Sequence, residues 1–513
     1  MTVRRALLSA SDKTGVIAFA KELHRLGIEL VASGGTAQLI TDDDLPVTTV
    51  AELTGMPELL GHRVVTLHPG VHGGILARRD IDTDLADIAE HGIVPIDLVY
   101  VNLYPFERTV GRLDVEWADA IEQIDVGGPA MLRAAAKNHA FVVPLCRPED
   151  FDMVLEQLRA GGDVDLETRR TLAARAFART AAYDAAVATW FTRDEKFPET
   201  ILPVLDFAHA VSYGENPHQQ GAYYEERGAR MHVLSRVDQL QGRPLSYNNL
   251  NDLSAARLLV SSFEPPTCVI VKHANPCGVA LDETIEGAYA KALAADPTSA
   301  YGGVVVFNRP VSAALGDTLA EQFLEVVFAP GLDAVAVEAL TRRPDLRVLV
   351  DNERRAFTPG ERDLKRVIGG VLAQERDVEL DPLDLMSVAC GDLDEEGWEE
   401  LLFAWAVVRH VTSNAIVITK GRQTLGIGAG QMSRVDAVRL AIDKAHEHGH
   451  DLAGASLASD AFFPFADGAQ VALDAGITRI IQPGGSKRDD EVIAAVRGAG
   501  ATMVISGRRH FRH

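Results

Sequence analysis

The chain has 513 residues, 47% of them hydrophobic, a length that allows about three domains. Its net charge of −23 argues against a nucleic-acid-binding face, so any anionic ligand must be collected by local Arg, Lys and backbone N–H groups. No apolar run approaches a membrane span, Arg4-Arg5 precede too short an apolar stretch for a secretory signal, and Cys146, Cys268, Cys277 and Cys390 fall at no zinc or disulfide spacing, so the expected compartment is the reducing cytosol.

Short apolar runs alternating with Ala-rich amphipathic stretches predict an α/β protein. The first predicted strand, Ala6 to Ser9, opens into Ser11-Asp12-Lys13-Thr14-Gly15 and a helix ending near Gly27. A second strand, Ile28 to Ala32, runs into Ser33-Gly34-Gly35-Thr36 and another helix. Glycines that admit an anion, hydroxyl donors and a helix N-terminus make this tetrapeptide a phosphate candidate, although a tight turn with a helix cap needs the same residues. No GxGxxG or GxxxxGK[ST] stands in its place, so dinucleotide and P-loop readings are weak.

Arg63, Thr66 and His68 follow in HRVVTLHP, and a strand from Leu98 to Val101 leads into Asn102-Leu103-Tyr104-Pro105-Phe106. In EQIDVGGPAMLRAAAKNH, Asp125 precedes a helix on which Arg133 and Lys137 share a face. Lys137 could equally be a favourable charge at the helix's negative pole, and Tyr104 a packed loop aromatic. Strand–loop–helix units of this kind build a parallel sheet with its ligand site at the strands' C-terminal ends.

Periodicity fades from Thr192 to Asp206, which marks a domain boundary, and a polar stretch from Glu375 to Pro382 suggests that the second half has two lobes. Within that half, Val269-Ile270-Val271 predicts a buried strand ending at Lys272-His273. The turn is expected at Asn275-Pro276. A cation beside an imidazole at a strand end suits proton transfer and oxyanion stabilisation, or else is a loop histidine beside a solvated lysine.

Taken together, SDKTG, SGGTA, RVVTLHP, NLYPF and EQIDVGGPAMLRAAAKNH, then YGENPHQ, YNNLND, VKHANPCG, SNAIV, GIGAGQMSR, SDAFFPF and QPGGS, resemble the bifunctional AICAR transformylase/IMP cyclohydrolase enzymes of purine biosynthesis along essentially the whole chain. The resemblance implies a methylglyoxal-synthase-like α/β domain over 1–199, followed by two cytidine-deaminase-like α/β lobes over 200–513, which the polar stretch near 375–382 would divide. The first half would cyclise formyl-AICAR to IMP. The second would move a formyl group from 10-formyltetrahydrofolate, a co-substrate, to the 5-amino group of AICAR. A cytosolic homodimer is also implied.

By the same resemblance, Ser11, Asp12, Lys13, Ser33, Gly34, Gly35, Thr36, Arg63, Thr66, Asn102, Asp125 and Val126 would line the cyclohydrolase site, with Lys137, Asp125 and Tyr104 handling protons and the oxyanion. His273 would be the base for the attacking amine and Lys272 the oxyanion cation. Tyr213, Gly302, Glu325, Asn414 and Arg434 would hold AICAR, while Val435, Phe462, Asp467, Ser486, Lys487 and Arg509 would lie along the folate.

The chemistry fits these residue types. A conjugated aromatic amine is a poor nucleophile that must lose a proton as it attacks, and a flat pterin suits Phe462. No catalytic metal is required, and the HxE and PCxxC signatures of zinc deaminases are absent. Three positions depart from the family pattern: Val65 where lysine is common, Ser212 where arginine is usual, and Thr412 where bacterial relatives often carry lysine. Val65 keeps an alternative in play, a transformylase whose first half is a degenerate nucleotide-binding module. A non-enzymatic folate or nucleotide carrier would leave Lys272–His273 without a task.

Overall fold

A computed structural model describes residues 2–112, 114–229, 232–234, 236–351, 361–377 and 381–513. They form two compact units that meet between Val204 and Leu205. No helix among the described residues is long and apolar enough to cross a membrane.

The first unit is built on five parallel strands, β1 (Arg5–Ala10), β2 (Glu29–Ala32), β3 (Thr48–Thr49), β4 (Leu98–Asn102) and β5 (Val143–Leu145), in the order β3-β2-β1-β4-β5. Successive side chains of a strand face opposite ways. Accordingly Ala6, Leu8, Leu30 and Tyr100 pack into one core and Leu7, Val31, Val99 and Val101 into another. Helices cover both faces, which is why these strands read as unbroken apolar runs. The Val16–Arg25 helix shows the matching pattern, burying Val16, Phe19, Ala20 and Leu23 on one stripe. All five strands point the same way, so the loops after β1, β2 and β4 gather at one end of the sheet.

The second unit begins with a two-stranded ribbon, β6 (Leu205–Val211) and β7 (Gly221–Glu226). Next comes a six-stranded sheet of β8 (Asp238–Gln241), β9 (Thr267–Lys272), β10 (Asn275–Leu281), β11 (Val304–Phe307), β12 (Val326–Ala329) and β13 (Arg347–Val350). A second ribbon, β14 (Arg362–Val367) and β15 (Gly370–Glu375), precedes another six-stranded sheet of β16 (Ser387–Cys390), β17 (Ile416–Thr419), β18 (Thr424–Gly428), β19 (Ser456–Ser459), β20 (Arg479–Gln482) and β21 (Thr502–Ile505). Of the expected lobe division at 375–382, residues 378–380 lie outside the described ones.

The two large sheets share one plan. Their orders are β10-β9-β11-β12-β13-β8 and β18-β17-β19-β20-β21-β16, with the same sequence of antiparallel and parallel pairings across each. One face of each contributes to a common core, Val269, Val271 and Val306 from the first and Val417, Ala458 and Val504 from the second. The helices Tyr247–Val260 and Glu395–Val408 fill the space between, through Leu253, Ala256, Ala404 and Val408. Close approach is achieved with glycine. A Cβ on Gly278 of β10 would lie 1.9 Å from the Ala292 carbonyl, and one on Gly426 of β18 would lie 1.9 Å from that of Ala441.

Candidate active sites

In the first unit, the loops after β1, β2 and β4 are knitted together by polar side chains. The Asn102 Oδ1 accepts the backbone N–H groups of Ser11 (2.6 Å) and Asp12 (3.0 Å), while its amide donates to the Asp12 carbonyl. Ser33 meets Ser9 hydroxyl to hydroxyl at 3.0 Å. Lys13 donates to the Thr36 hydroxyl at 2.8 Å and to the Ala10 carbonyl, and burial lowers its pKa. Ser33 precedes the Gly34–Thr41 helix in extended backbone without capping it by its side chain. Gly34 and Gly35 are exposed at that helix N-terminus, where unpaired N–H groups suit a phosphate. Thr36, by contrast, is buried, and its hydroxyl ties the helix to β1.

A second group converges on the N-terminus of the Gly127–Lys137 helix. Asp125 accepts from the Gly128 N–H at 2.8 Å, and its own N–H donates to the Tyr183 hydroxyl at 2.8 Å. Burial raises its pKa above the ordinary value, although N–H groups of Gly128 and Tyr104 oppose that rise. Burial, with Asp125 and Glu58 nearby, likewise raises the pKa of Tyr104. Thr66 is buried against the same turn, and a Cβ at Gly127 would lie 2.5 Å from its hydroxyl. Val126 stands exposed beside them.

Two expected residues, Arg63 and Lys137, and the departing Val65 stand apart from this group. Arg63 is a surface side chain paired with Glu122. Val65 packs against the apolar core on one face of the sheet. Lys137 lies at the other end of the helix, roughly 15 Å along its axis from Gly127 at about 1.5 Å per residue. Lys137 and Asp125 thus stand at opposite ends of this helix.

In the second unit the turn is not at Asn275-Pro276. β9 pairs directly with β10, Lys272 opposite Asn275, and the turn is the two residues His273 and Ala274, at φ +53° and +59°. Pro276 is tolerated because β10 is an edge strand with a bulge between Pro276 and Gly278. Such turns normally take Asn-Gly, since left-handed backbone is unfavourable for residues with a Cβ. Here the Asp252 carboxylate accepts both turn N–H groups, at 3.2 Å from His273 and 2.7 Å from Ala274. The imidazole is left exposed.

Lys272 donates to the Tyr301 carbonyl at 2.8 Å. Tyr301 stacks on Phe323 at 4.8 Å between ring centroids, and both rings are exposed. Gly302 follows at φ +74°, and Glu325 beside it pairs with Arg347 at 2.6 Å. β11 and β12 begin here because β9 ends here and runs antiparallel to β11. Tyr213 joins from the end of β6, where its carbonyl accepts the Tyr247 N–H at the start of the helix that carries Asp252.

The second lobe reaches this end through Asn275, whose Oδ1 accepts the Thr412 N–H at 2.9 Å. Asn414 follows, its amide donating to the Gln431 carbonyl and its Oδ1 accepting from Arg434 at 2.7 Å. Arg434 itself is buried and ion-paired with Asp460, so it supports Asn414 instead of opening to a ligand. Phe462 follows β19, Ser486 and Lys487 follow β20, and Arg509 follows β21, all at the C-terminal ends of parallel strands. Val435 lies close to Gly468, its Cα 3.9 Å from where a Gly468 Cβ would stand, and Asp467 precedes that glycine in the chain.

The sequence reading missed Asp252, Asp460, Tyr301, Phe323 and Tyr183. Asp252 and Asp460 lie inside the YNNLND and SDAFFPF motifs, but only the fold shows what their carboxylates hold.

Comparison with known proteins agrees in both halves. A family model described as the AICARFT/IMPCHase bienzyme matches residues 135–444, and one described as an MGS-like domain matches 15–130. A bifunctional purine biosynthesis protein PurH of Anoxybacillus flavithermus is 46% identical over 518 residues, covering 99% of this chain and 100% of the relative. A solved chain described as the crystal structure of ForH is 44% identical, covering 37% of this chain and 98% of its own, with a TM-score of 0.34. The chain belongs to the bifunctional AICAR transformylase/IMP cyclohydrolase family of de novo purine biosynthesis.

Proposed function

We propose the following division of labour for the two activities. Residues 200–513 transfer the formyl group of 10-formyltetrahydrofolate to the 5-amino group of AICAR. His273 takes the amine proton as nitrogen attacks the formyl carbon, and Lys272 faces the oxyanion. The tetrahedral intermediate then collapses, the bond to folate N10 breaks, and the proton held by His273 goes to that nitrogen. Tyr213, Gly302, Glu325 and Asn414 hold AICAR, with Arg434 acting through Asn414. Val435, Phe462, Asp467, Ser486, Lys487 and Arg509 lie along the folate. The observation that carries this reading is the His273–Ala274 turn, which presents the imidazole beside Lys272 at the end of β9.

Residues 1–199 close the ring. The carboxamide nitrogen attacks the formyl carbon, Asp125 accepts its proton, the Tyr104 hydroxyl stabilises the oxygen, and water leaves. Ser11 to Lys13, Ser33 to Thr36, Thr66, Asn102 and Val126 orient the nucleotide, with Arg63 at the rim. Lys137, one helix length away in the same chain, is not assigned to the proton step. The reaction is intramolecular, so orientation supplies much of the rate.

His273→Ala tests the first assignment. Formyl transfer should slow by about 10²–10⁴-fold while supplied formyl-AICAR is still converted to IMP. Near-normal transfer would remove His273 from the base role. A second reading, transformylase alone, draws on the inward packing of Val65. It would prevail if the wild-type protein made no IMP and Val65→Lys switched that activity on.

We further infer a cytosolic homodimer with each transformylase site drawing on both subunits. Exposed Phe207 and Tyr224 on the first ribbon, and Ile368 and Leu372 on the second, are apolar surface that a second copy would cover. A monomer with full transfer activity by sedimentation at micromolar concentration contradicts this.

A further inference from the structure

We propose that Asp252 is a positioning residue for formyl transfer, its carboxylate holding the His273–Ala274 turn by both backbone N–H groups and so fixing where the His273 imidazole stands. The inference rests on the reading of Lys272–His273 as the transfer centre.

The second lobe supplies an internal comparison. Its β17–β18 hairpin also closes on two residues of positive φ, Gly421 (+63°) and Arg422 (+54°). Lys420 stands where Lys272 does and donates to the Ala453 carbonyl at 2.8 Å, as Lys272 does to that of Tyr301. Glu400 occupies the helix position of Asp252, and the glycines Gly278 and Gly426 keep the same offset. The lobes thus repeat one device, a hairpin turn tied to a carboxylate on the preceding helix.

The two copies differ where the chemistry is placed. Glu400 accepts only the Arg422 N–H, at 2.8 Å, and the other turn residue is Gly421. Glycine enters left-handed backbone without steric cost, so one bond is sufficient there. The first lobe has His273 at that position, a residue with a Cβ, and both N–H groups of its turn are captured. The second bond is what a side-chain-bearing residue needs to stay in this conformation, and that residue carries the imidazole. Asp252 is half-buried behind the turn and reaches the reaction only through it.

The test uses the full-length protein. Asp252→Ala should lower kcat for formyl transfer by about 10–100-fold, as displacement of a reacting group by about 1 Å does, with the KM for AICAR changed much less. Asp252→Asn, which keeps one acceptor oxygen, should fall between. Adding Ala274→Gly to Asp252→Ala should recover part of the lost kcat, because glycine relieves the turn without restoring any carboxylate. IMP formation from supplied formyl-AICAR serves as the folding control and should be unchanged throughout. If Asp252→Ala transfers at the wild-type rate while His273→Ala does not, the positioning role is overturned and the His273 assignment stands. Near-normal transfer by His273→Ala overturns both. Loss that Ala274→Gly leaves wholly unrecovered, together with a matching rise in KM, assigns Asp252 to substrate binding and overturns positioning.

Discussion

Each site turns on a few residues whose surroundings differ from what their type alone suggests. Asp125 is a carboxylate whose ionised form is disfavoured by burial, and its pKa is raised from 3.8. A base of this kind works only once deprotonated, so IMP formation should rise with pH through an apparent pKa above 3.8 and level off once Asp125 is ionised. Asp125→Asn should cost about 10²–10⁴-fold and abolish that acid limb. An unchanged profile in the variant would assign the limb to another group. Val65 packs inward, so Val65→Lys should leave wild-type IMP formation unaltered or raise it well short of the ~10²–10³-fold that an oxyanion donor supplies. Steady-state rates with purified formyl-AICAR decide this.

At the scale of elements, the segment after β21 is fastened by a buried histidine. His510 faces Asp377, donates to the Asp381 carboxylate (2.7 Å), and lies against Trp405, which also donates to Asp381 at 2.7 Å. Burial and the nearby Arg409 oppose its protonation, but the hydrogen bonds to the two carboxylates prevail and raise its pKa above 6.5. Burial pushes Asp377 and Asp381 upward, yet their hydrogen bonds with His510 leave both lowered. The signs follow by linkage. The histidine's contribution to stability is complete below 6.5 and lost as pH rises through its higher folded value. The aspartates' contribution is complete above 3.8 and lost as pH falls through their lower folded values. The thermal midpoint of the wild-type protein should therefore decline from pH 6.5 upward more steeply than that of His510→Gln. Parallel curves for the two proteins would show that this cluster does not couple to folding. The His510 backbone N–H also donates to the Asp460 carbonyl, so loosening the segment should reach the support of Asn414.

At the scale of the whole molecule, the first unit owns both of its apolar cores, one on each face of its sheet. Its candidate cyclohydrolase residues also lie within it. A fragment of residues 1–204 should fold cooperatively and convert formyl-AICAR to IMP without the remainder. Circular dichroism melting with turnover on the fragment checks both parts, and a folded but inactive fragment would show that the second unit or a second copy completes the site. The two lobes of the second unit share one core and should not separate in this way.

The sequence alone determined much of this protein. Unbroken apolar runs such as Val269 to Val271 mark buried strands because burial on both faces leaves no polar side, and ordered motifs such as SDKTG and VKHANPCG carry the family because backbone and ligand contacts restrict them together. It also placed Asp125 just ahead of its helix, since helix starts are local. Tertiary structure alone decided the rest. The turn at His273–Ala274 went against local propensity, which favours Asn275-Pro276, because Asp252, 21 residues before His273, supplies two hydrogen bonds that a reading of neighbours cannot count. The repetition of one sheet plan in both lobes is likewise written in strand pairing and direction, and not in any short period of the chain. The resemblance groups Lys137 with Asp125, but the helix between them holds the two backbones at its opposite ends.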